Sequence, residues 1–254
     1  MIHQTEIERI LKGLPGSIGF YYACPDTGDE YAYHADQPFE AASVIKIPIM
    51  VEAFRQMESG LLDRNRMVAI RSEDKLPSCG ALTYMHDGLQ VTVMDLVTLM
   101  IILSDNTATN ILIDLLGADN INRTMRNERL SGSILNRKLF QPELSAKGIQ
   151  NYVTARDMAT LLNKMMDGTL FSASASREML EILGNQRLNG KIPFFLHPQG
   201  IDVAHKTGED DGITHDVGVI WTEKPQIMCF LSYKTDTPVA QRAMQDIARM
   251  LAEQ

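Results

Sequence analysis

The sequence lacks the excess of basic residues that a nucleic-acid-binding protein needs. Its 254 residues include 24 Lys plus Arg and 32 Asp plus Glu, which give a formal net charge of −8 with neutral histidines. Because phosphate binding requires a positively charged face, we expect no nucleic-acid partner. The hydrophobic (44%) and charged (22%) fractions are typical of a globular protein that buries one sizeable core.

Long apolar runs are also missing. The longest uninterrupted apolar stretches, such as residues 99–103, fall far short of the roughly 18 residues that span a bilayer. The first thirteen residues contain Glu6, Glu8, Arg9 and Lys12, so they lack the apolar centre of a secretion signal. We therefore expect no membrane span. We expect the chain as written to be cytoplasmic, or periplasmic or secreted if an export signal preceded it.

Cysteine and histidine are too sparse to indicate a disulfide framework or a metal site. Cys24, Cys79 and Cys229 are an odd number of cysteines without C-x-x-C spacing, so we expect buried thiols. The six histidines include no pair at positions i and i+4, which would place two imidazoles on one helical face. We expect neither a metal nor another cofactor.

Hydrophobic periodicity divides the chain into a helical middle and strand-rich ends. Apolar spacings of three and four predict helices over residues 5–12, 44–57, 93–103, 106–116, 155–166, 176–183 and 239–253. Strand patterns cover residues 17–23, 30–34, 201–205, 216–221 and 227–233. The first helix is expected to be capped by Thr5 and stopped by Gly13.

Strands at both ends of the chain can pair into one antiparallel sheet. We therefore predict an α/β (α+β) fold, in which a five-stranded antiparallel sheet is flanked by helices and carries an inserted all-helical lobe. Residues 1–254 would form a single domain. Residues 1–41 and 190–254 would form its sheet lobe, and residues 42–189 its helical lobe. The functional site is expected in the crevice between the lobes.

A hydroxyl and an amine lie three residues apart at Ser43 and Lys46, so they share one face of a predicted helix. Ser72 and Lys75 have the same spacing but lie among loop residues. Ser43 instead lies where a β-type run meets a long apolar helix, near the positive end of the helix dipole. This motif alone leaves open a capping serine and a surface lysine.

Two further motifs accompany the Ser-Val-Ile-Lys of residues 43–46. Residues 104–106 (Ser-Asp-Asn) join two predicted helices, and residues 206–208 (Lys-Thr-Gly) end a predicted strand. Taken alone, Ser104 and Asn106 are better explained by helix capping, and Gly208 by a strand bulge. Together the three resemble the S-x-x-K, S-D-N and K-T-G motifs of class A β-lactamases and penicillin-binding proteins, in the same order along the whole chain.

The resemblance implies a serine hydrolase that acts through an acyl-enzyme. Ser43 would be the nucleophile and Lys46 the base that takes its proton. Partial burial and the ammonium group of Lys206 would lower the pKa of Lys46 and keep it partly neutral. Ser104 would relay the proton to the leaving nitrogen.

The resemblance also implies how the substrate is held. Asn106 would bind the amide side chain of the substrate, and Lys206 and Thr207 would bind its carboxylate. Gly208 completes the motif. The backbone N–H groups of the nucleophile and of Glu209 would form the oxyanion hole.

The omega loop departs from the family pattern. In class A β-lactamases this loop carries a glutamate that activates the deacylating water, whereas residues 140–145 (Phe-Gln-Pro-Glu-Leu-Ser) place Gln141 at that position. An amide cannot accept the proton, and the loss of a positioned base typically costs roughly 10² to 10⁴ in rate. Glu143 remains an alternative base if the loop is threaded differently.

An acidic run, Glu209, Asp210 and Asp211, is the second departure from the family pattern. Its charge would oppose an anionic β-lactam. We expect these side chains to face solvent in a turn before Gly212, as short charge runs usually do.

We predict a β-lactamase that hydrolyses the amide of β-lactam rings, with a small molecule as its only expected partner. Two alternatives remain open. One is a D-Ala-D-Ala peptidase, or a small amide or ester hydrolase, of the same fold. The other is a β-lactam-binding sensor that deacylates slowly because of Gln141. The oligomeric state is left open.

Overall fold

The fold combines a central sheet with helices on both of its faces. The structure is a computed structural model and describes residues 3–253. In chain order its helices and strands are α1 (Gln4–Gly13), β1 (Ser17–Cys24), β2 (Asp29–Tyr33), β3 (Phe39–Glu40), α2 (Lys46–Glu58), β4 (Met67–Ile70), β5 (Leu89–Thr92), α3 (Val93–Ile102), α4 (Asn106–Leu116), α5 (Ala118–Asn127), α6 (Pro142–Ser145), β6 (Tyr152–Val153), α7 (Ala155–Met166), α8 (Ala173–Gly184), β7 (Val203–Asp210), β8 (Ile213–Ile220), β9 (Gln226–Tyr233) and α9 (Thr237–Ala252).

Five of these strands form one antiparallel sheet in the order β2-β1-β9-β8-β7. β1, near the start of the chain, pairs with β9, near its end, in a register that sets Phe20 opposite Phe230. β7 lies at one edge of the sheet and pairs with β8. The predicted fold class, with a five-stranded antiparallel sheet built from both ends of the chain and flanked by helices, is confirmed.

Side chains along β9 alternate between two hydrophobic cores, as the two-residue period of a strand requires. Met228 and Phe230 pack with α1 and α9 in the smaller core. Ile227, Cys229 and Leu231 pack in the larger core with the helices from the middle of the chain. Because both faces of the sheet are covered, every residue of β8 is buried.

The strand that carries the Lys-Thr-Gly motif is longer than predicted. The prediction ended at residue 205, whereas β7 continues to residue 210 and the motif lies in its interior. The register explains the difference, because β7 stays paired with β8 as far as Asp210 and Ile213. The turn is therefore confined to residues 211 and 212, with Gly212 at φ +64°. Glu209 and Asp210 are exposed as expected, but their predicted location in a turn is wrong.

The nucleophile helix starts differently from the prediction. Its first turn is a 3-10 helix, Ala42–Ile45, and α2 follows from Lys46. The backbone N–H of Lys46 donates to the Ser43 carbonyl, which links the two helices. Ser43 therefore lies in a tighter turn than the predicted α-helix would provide.

Several elements are too short or too polar for the periodicity to detect. The strands β3 and β6 have two residues each and pair with each other. The strands β4 and β5 have four residues each and form another two-stranded sheet. α5 is mostly polar and buries only Ile121, Thr124 and Met125.

The helices α8 and α9 begin three and two residues earlier than predicted, because Ser172 and Asp236 cap them.

The start of α1 also differs from the prediction. Thr5 lies inside this helix, which begins at Gln4, so its predicted role as the cap is wrong. In the described part of the chain, no helix combines the length and apolarity needed to cross a membrane.

Candidate active site

Ser43 lies where the chain leaves β3 and enters α2. Its neighbours Val44 and Ile45 are fully buried and anchor the 3-10 turn in the larger core. Ser43 itself is partly exposed and lines a cavity of about 460 Å³. The turn thus presents one hydroxyl to the cavity while the residues that follow it are fixed by packing.

Lys46 is fully buried at the first position of α2, and its amine contacts four oxygen atoms. Nζ lies 3.0 Å from Ser43 Oγ, 2.7 Å from the Ser104 carbonyl, 3.0 Å from Ser104 Oγ and 2.8 Å from Asn106 Oδ1. The spacing of three residues therefore does bring the hydroxyl and the amine together. The alternative of a surface lysine is wrong.

These contacts suit a neutral amine at Lys46. The Ser104 carbonyl and Asn106 Oδ1 can only accept hydrogen bonds, so they take two N–H groups of Lys46. A neutral amine then keeps its lone pair for the hydroxyl proton of Ser43. Burial, and next the charge of Lys206, holds the pKa of Lys46 well below its ordinary value. Its contact with the Ser43 hydroxyl and its lowered pKa are the properties that the predicted role as a base requires.

Ser104 lies between two amines at the junction of α3 and α4. Its Oγ is 3.0 Å from Nζ of Lys46 and 3.0 Å from Nζ of Lys206. Its backbone has φ +55°, in the left-handed region that costs a residue other than glycine about 1 to 3 kcal/mol. The surrounding packing holds Ser104 in this conformation, which places one hydroxyl between both lysines.

Lys206 is fully buried in β7, and its Nζ also donates to the Thr207 carbonyl at 2.8 Å. The pKa of Lys206 is lowered to about 7, mainly by burial; the charge of Asp216 opposes this lowering and that of Lys191 adds to it. Two ammonium groups on one serine oxygen would repel each other strongly at low dielectric. Protonation of one amine therefore opposes protonation of the other.

The sequence reasoning missed the role of Asp105. Its carboxylate caps α4 by accepting the N–H of Ala108 at 2.9 Å. It also accepts the N–H groups of Ala81 and Leu82 at 2.7 and 2.9 Å. Asp105 therefore fixes the loop whose Cys79 lines the cavity; this thiol is exposed, so the prediction that all three thiols are buried is wrong for Cys79. The only signal in the sequence is an aspartate at a helix start.

The cavity wall contains only part of the predicted site. Ser43, Asn106, Gln141 and Glu209 line the cavity. The remaining polar members are buried and do not line it: Lys46, Ser104, Lys206 and Thr207. Within residues 3–253, no cluster of three or more His, Cys, Asp or Glu side chains is arranged to hold a metal ion.

Gly208 lets β7 approach the nucleophile turn closely. A Cβ at this position would lie 3.2 Å from Val44 Cγ2 and from His215 Cδ2, and 3.3 Å from Ala42 Cβ. Gly208 pairs with His215 in regular register, so the alternative of a strand bulge is wrong. The close approach sets the Gly208–Glu209 peptide beside the turn that carries Ser43.

The omega loop presents an amide, not a carboxylate, to the cavity. Gln141 precedes α6 and lines the cavity, whereas Glu143 is exposed and does not. Gln141 Oε1 accepts the Lys138 N–H at 2.9 Å, which leaves Nε2 as the side-chain atom available to the cavity. The loop is held in place by Asn110, whose side chain exchanges two hydrogen bonds with the main chain of Leu139. An N–H donor can orient a water molecule but cannot deprotonate it.

Comparison with known proteins gives the same family as the motifs. Residues 3–254 match the β-lactamase enzyme family. The chain belongs to this family. Among curated family members, β-lactamase 3 of Bacillus cereus is 25% identical over 230 residues, which cover 88% of this chain and 72% of that protein.

Solved structures support the family assignment over nearly the whole chain. A β-lactamase from Sphaerobacter thermophilus matches with a TM-score of 0.90 and 30% identity, covering 98% of this chain and 96% of that one. PBP-A matches with a TM-score of 0.89 and 28% identity, covering 100% and 95%. A leucine-to-glutamate variant of PBP-A, solved as an acyl-enzyme with penicillin G, matches with a TM-score of 0.88 and 27% identity, covering 98% and 94%. The predicted β-lactamase-like serine hydrolase is confirmed at the level of family and fold.

The charge of Lys206 generates a prediction for the pH dependence of acylation. Lys206→Met removes a positive charge that lowers the pKa of Lys46, so that pKa rises and the neutral fraction of Lys46 falls at any given pH. The ascending limb of the acylation rate against pH should move upward by roughly one unit or more. Stopped-flow acylation with a fluorescent penicillin measures this limb.

The position of the limb is the readout, because Lys206→Met also removes a predicted substrate contact and lowers the maximum rate. Lys75→Met is the matched control, since Lys75 belongs to the second Ser-x-x-Lys and is engaged with Asp87. It should leave the profile unchanged. An ascending limb that stays in place in Lys206→Met would contradict the coupling between the two lysines.

Proposed function

We propose that this protein hydrolyses the amide of β-lactam rings through an acyl-enzyme at Ser43. The observation that carries the proposal is the 3.0 Å contact between Ser43 Oγ, which opens on the cavity, and the buried amine of Lys46. A base of lowered pKa in contact with a cavity-facing hydroxyl is the arrangement that activates a serine nucleophile. Membership of the β-lactamase family supports β-lactams as the substrate class.

Acylation follows from the protonation states of the site. Neutral Lys46 takes the proton of Ser43 while Oγ forms a bond to the ring carbonyl. The negative charge on the carbonyl oxygen is met by the backbone N–H groups of Ser43 and Glu209. The C–N bond of the ring then breaks, and Ser104 protonates the leaving nitrogen. Lys46 then returns the proton that it took from Ser43 to Ser104, whose Oγ lies 3.0 Å from its Nζ, so the amine is neutral again.

The substrate is held at two further points. The Oδ1 atom of Asn106 is engaged by Lys46, so its side-chain NH₂ group is the part available to the amide carbonyl of a substrate. The positive charge of Lys206 and the hydroxyl of Thr207 attract the substrate carboxylate. The nearby carboxylate of Glu209 opposes this attraction less than its charge suggests, because it pairs with Lys191 at 3.1 Å.

Deacylation is the slow step in this account. Hydrolysis requires a base that takes a proton from the attacking water, and Gln141, which the motif comparison assigns to the position of that base, lines the cavity. Glu143 is exposed outside the cavity. The acyl-enzyme is therefore expected to accumulate, with hydrolysis roughly 10² to 10⁴ slower than with a positioned carboxylate.

The presence of Gln141 in the cavity wall favours a second candidate, a D-Ala-D-Ala peptidase of this fold. The site contains the groups that acylation needs, but the proposed deacylation position holds the amide of Gln141 and not a carboxylate. Such a site suits a peptidase, because a peptidase does not need to hydrolyse a β-lactam adduct rapidly. Parallel rates on a β-lactam, a D-Ala-D-Ala peptide and an ester separate the candidates. A fast peptidase rate with a persistent penicillin adduct would favour the second.

The nucleophile assignment is tested by covalent labelling. Ser43→Ala should abolish labelling by a fluorescent penicillin, because it removes the cavity-lining hydroxyl that contacts the amine of Lys46. Ser72→Ala should label normally, since Ser72 is exposed and Lys75 is engaged with Asp87. Gel fluorescence measures both. Loss of labelling in Ser72→Ala with labelling retained in Ser43→Ala would overturn the assignment.

The role of Gln141 in the omega loop is tested by the deacylation rate of a Gln141→Glu variant. Gln141→Glu keeps an acceptor for the Lys138 N–H and turns a second carboxylate oxygen toward the cavity in place of Nε2. Deacylation should accelerate by up to roughly 10² to 10⁴, with acylation little changed. Mass spectrometry of the intact protein after a single dose of penicillin follows both steps.

Glu143→Gln is the matched control and should leave adduct lifetime unchanged, because its side chain lies outside the cavity. The competing result is rapid wild-type deacylation that Glu143→Gln stops. That result would show that the loop is threaded differently around the acyl group.

A further inference from the structure

Lys191 is a third buried lysine and is not among the motif residues. It lies between α8 and β7, immediately before the 3-10 helix Ile192–Phe195, and is 1% exposed. A buried lysine is rare unless its charge is paired and its N–H groups are bonded. The contacts of its amine therefore indicate what this residue does.

The amine of Lys191 reaches the peptide that the proposed function uses to bind the oxyanion. Nζ donates to the Gly208 carbonyl at 3.1 Å and to the His215 carbonyl at 3.0 Å. It also pairs with Glu209 Oε1 at 3.1 Å. The Gly208 carbonyl and the Glu209 N–H belong to one planar peptide group, so a contact that fixes the oxygen also fixes the direction of the N–H.

A positive charge on a peptide carbonyl also changes the donor strength of its N–H. Hydrogen bonds in a chain polarise one another, and ionised donors give bonds roughly twice as strong as neutral ones. Electron density drawn toward the Gly208 oxygen leaves the Glu209 N–H more positive. We infer that Lys191 is a positioning residue that orients and polarises the Glu209 N–H in the oxyanion hole, an inference that rests on the proposed function.

The Glu209 side chain completes the arrangement. The Glu209 side chain is 71% exposed, yet its carboxylate pairs with the amine of Lys191, whose side chain is 2% exposed. Burial lowers the pKa of Lys191, while the charges of Glu209 and Asp216 raise it. The exposed carboxylate therefore helps to keep the buried amine charged beneath the peptide. Glu209 contributes its N–H to the cavity and its side chain to Lys191.

A purely structural reading would treat Lys191 as a link between β7 and β8, since it bonds one carbonyl on each strand. That reading predicts a loss of stability and nothing specific to the oxyanion. The two readings therefore differ in the acyl-enzyme, where the ester carbonyl occupies the oxyanion hole. Stronger hydrogen bonds to this carbonyl lower its infrared stretching frequency.

The test is Lys191→Met, which removes the charge and the donors but keeps an unbranched apolar side chain. Penicillin acylation should slow by roughly 5- to 50-fold, less than the 10² to 10³ that follows loss of an oxyanion donor, because the Glu209 N–H remains. The ester carbonyl band of its penicillin adduct should move to higher frequency. Lys164→Met is the matched control, since Lys164 pairs with Glu128 and does not line the cavity. It should change neither the rate nor the band.

Two outcomes decide the inference. A lowered thermal midpoint in Lys191→Met with an unshifted carbonyl band and a wild-type acylation rate would overturn it. If Lys191→Met fails to fold, Lys191→Gln replaces it, because a neutral amide retains a donor; an unshifted band and rate in that variant would equally overturn the inference. Failure of the proposed function looks different, since wild-type protein would then form no penicillin adduct at all.

Discussion

Two buried amines, those of Lys46 and Lys206, lie 3.0 Å from the same hydroxyl oxygen, Ser104 Oγ. Burial lowers the pKa values of both amines, and the charge of Lys206 lowers the pKa of Lys46 further. The contact joins α2, the α3–α4 junction and β7, which are far apart in sequence. The two hydrophobic cores and the Asp105 carboxylate position these elements, and they hold a buried amine of lowered pKa beside Ser43.

Burying these lysines costs stability, and the fold offsets part of that cost with main-chain carbonyls. Lys46 donates to the Ser104 carbonyl and Lys206 to the Thr207 carbonyl, and the third buried lysine, Lys191, donates to the carbonyls of Gly208 and His215. The burial of Lys206 makes the stability of the fold depend on pH in a definite direction. Its folded-state pKa of about 7 lies below the unfolded value of about 10.4. The unfolded state binds the proton more tightly than the folded state does. Burial of Lys206 therefore destabilises the fold fully below about pH 7, and this destabilisation disappears as the pH rises above the unfolded pKa.

The sequence was sufficient for the fold class, the sheet and the order of the three motifs, because periodicity and motif spacing are local properties. The observed ends of β7 depend on pairing with β8, and the 3-10 geometry at Ser43 depends on how Val44 and Ile45 are buried. Asp105 and Lys191 act on groups remote in sequence, on Ala81 and Leu82 and on the Gly208 peptide, so no local pattern reveals them. The division into a sheet lobe and a helical lobe, and the catalytic role of each side chain, remain predictions.

The central claim is that Lys46 is a neutral amine near neutral pH and so can accept the proton of Ser43. The direct measurement is an NMR titration of protein labelled at the lysine ε-carbons, with the Lys46 signal assigned by its disappearance in Lys46→Arg. The structure predicts that this signal titrates well below the ordinary lysine pKa. A Lys46 signal that titrates in the range of exposed lysines would contradict the account.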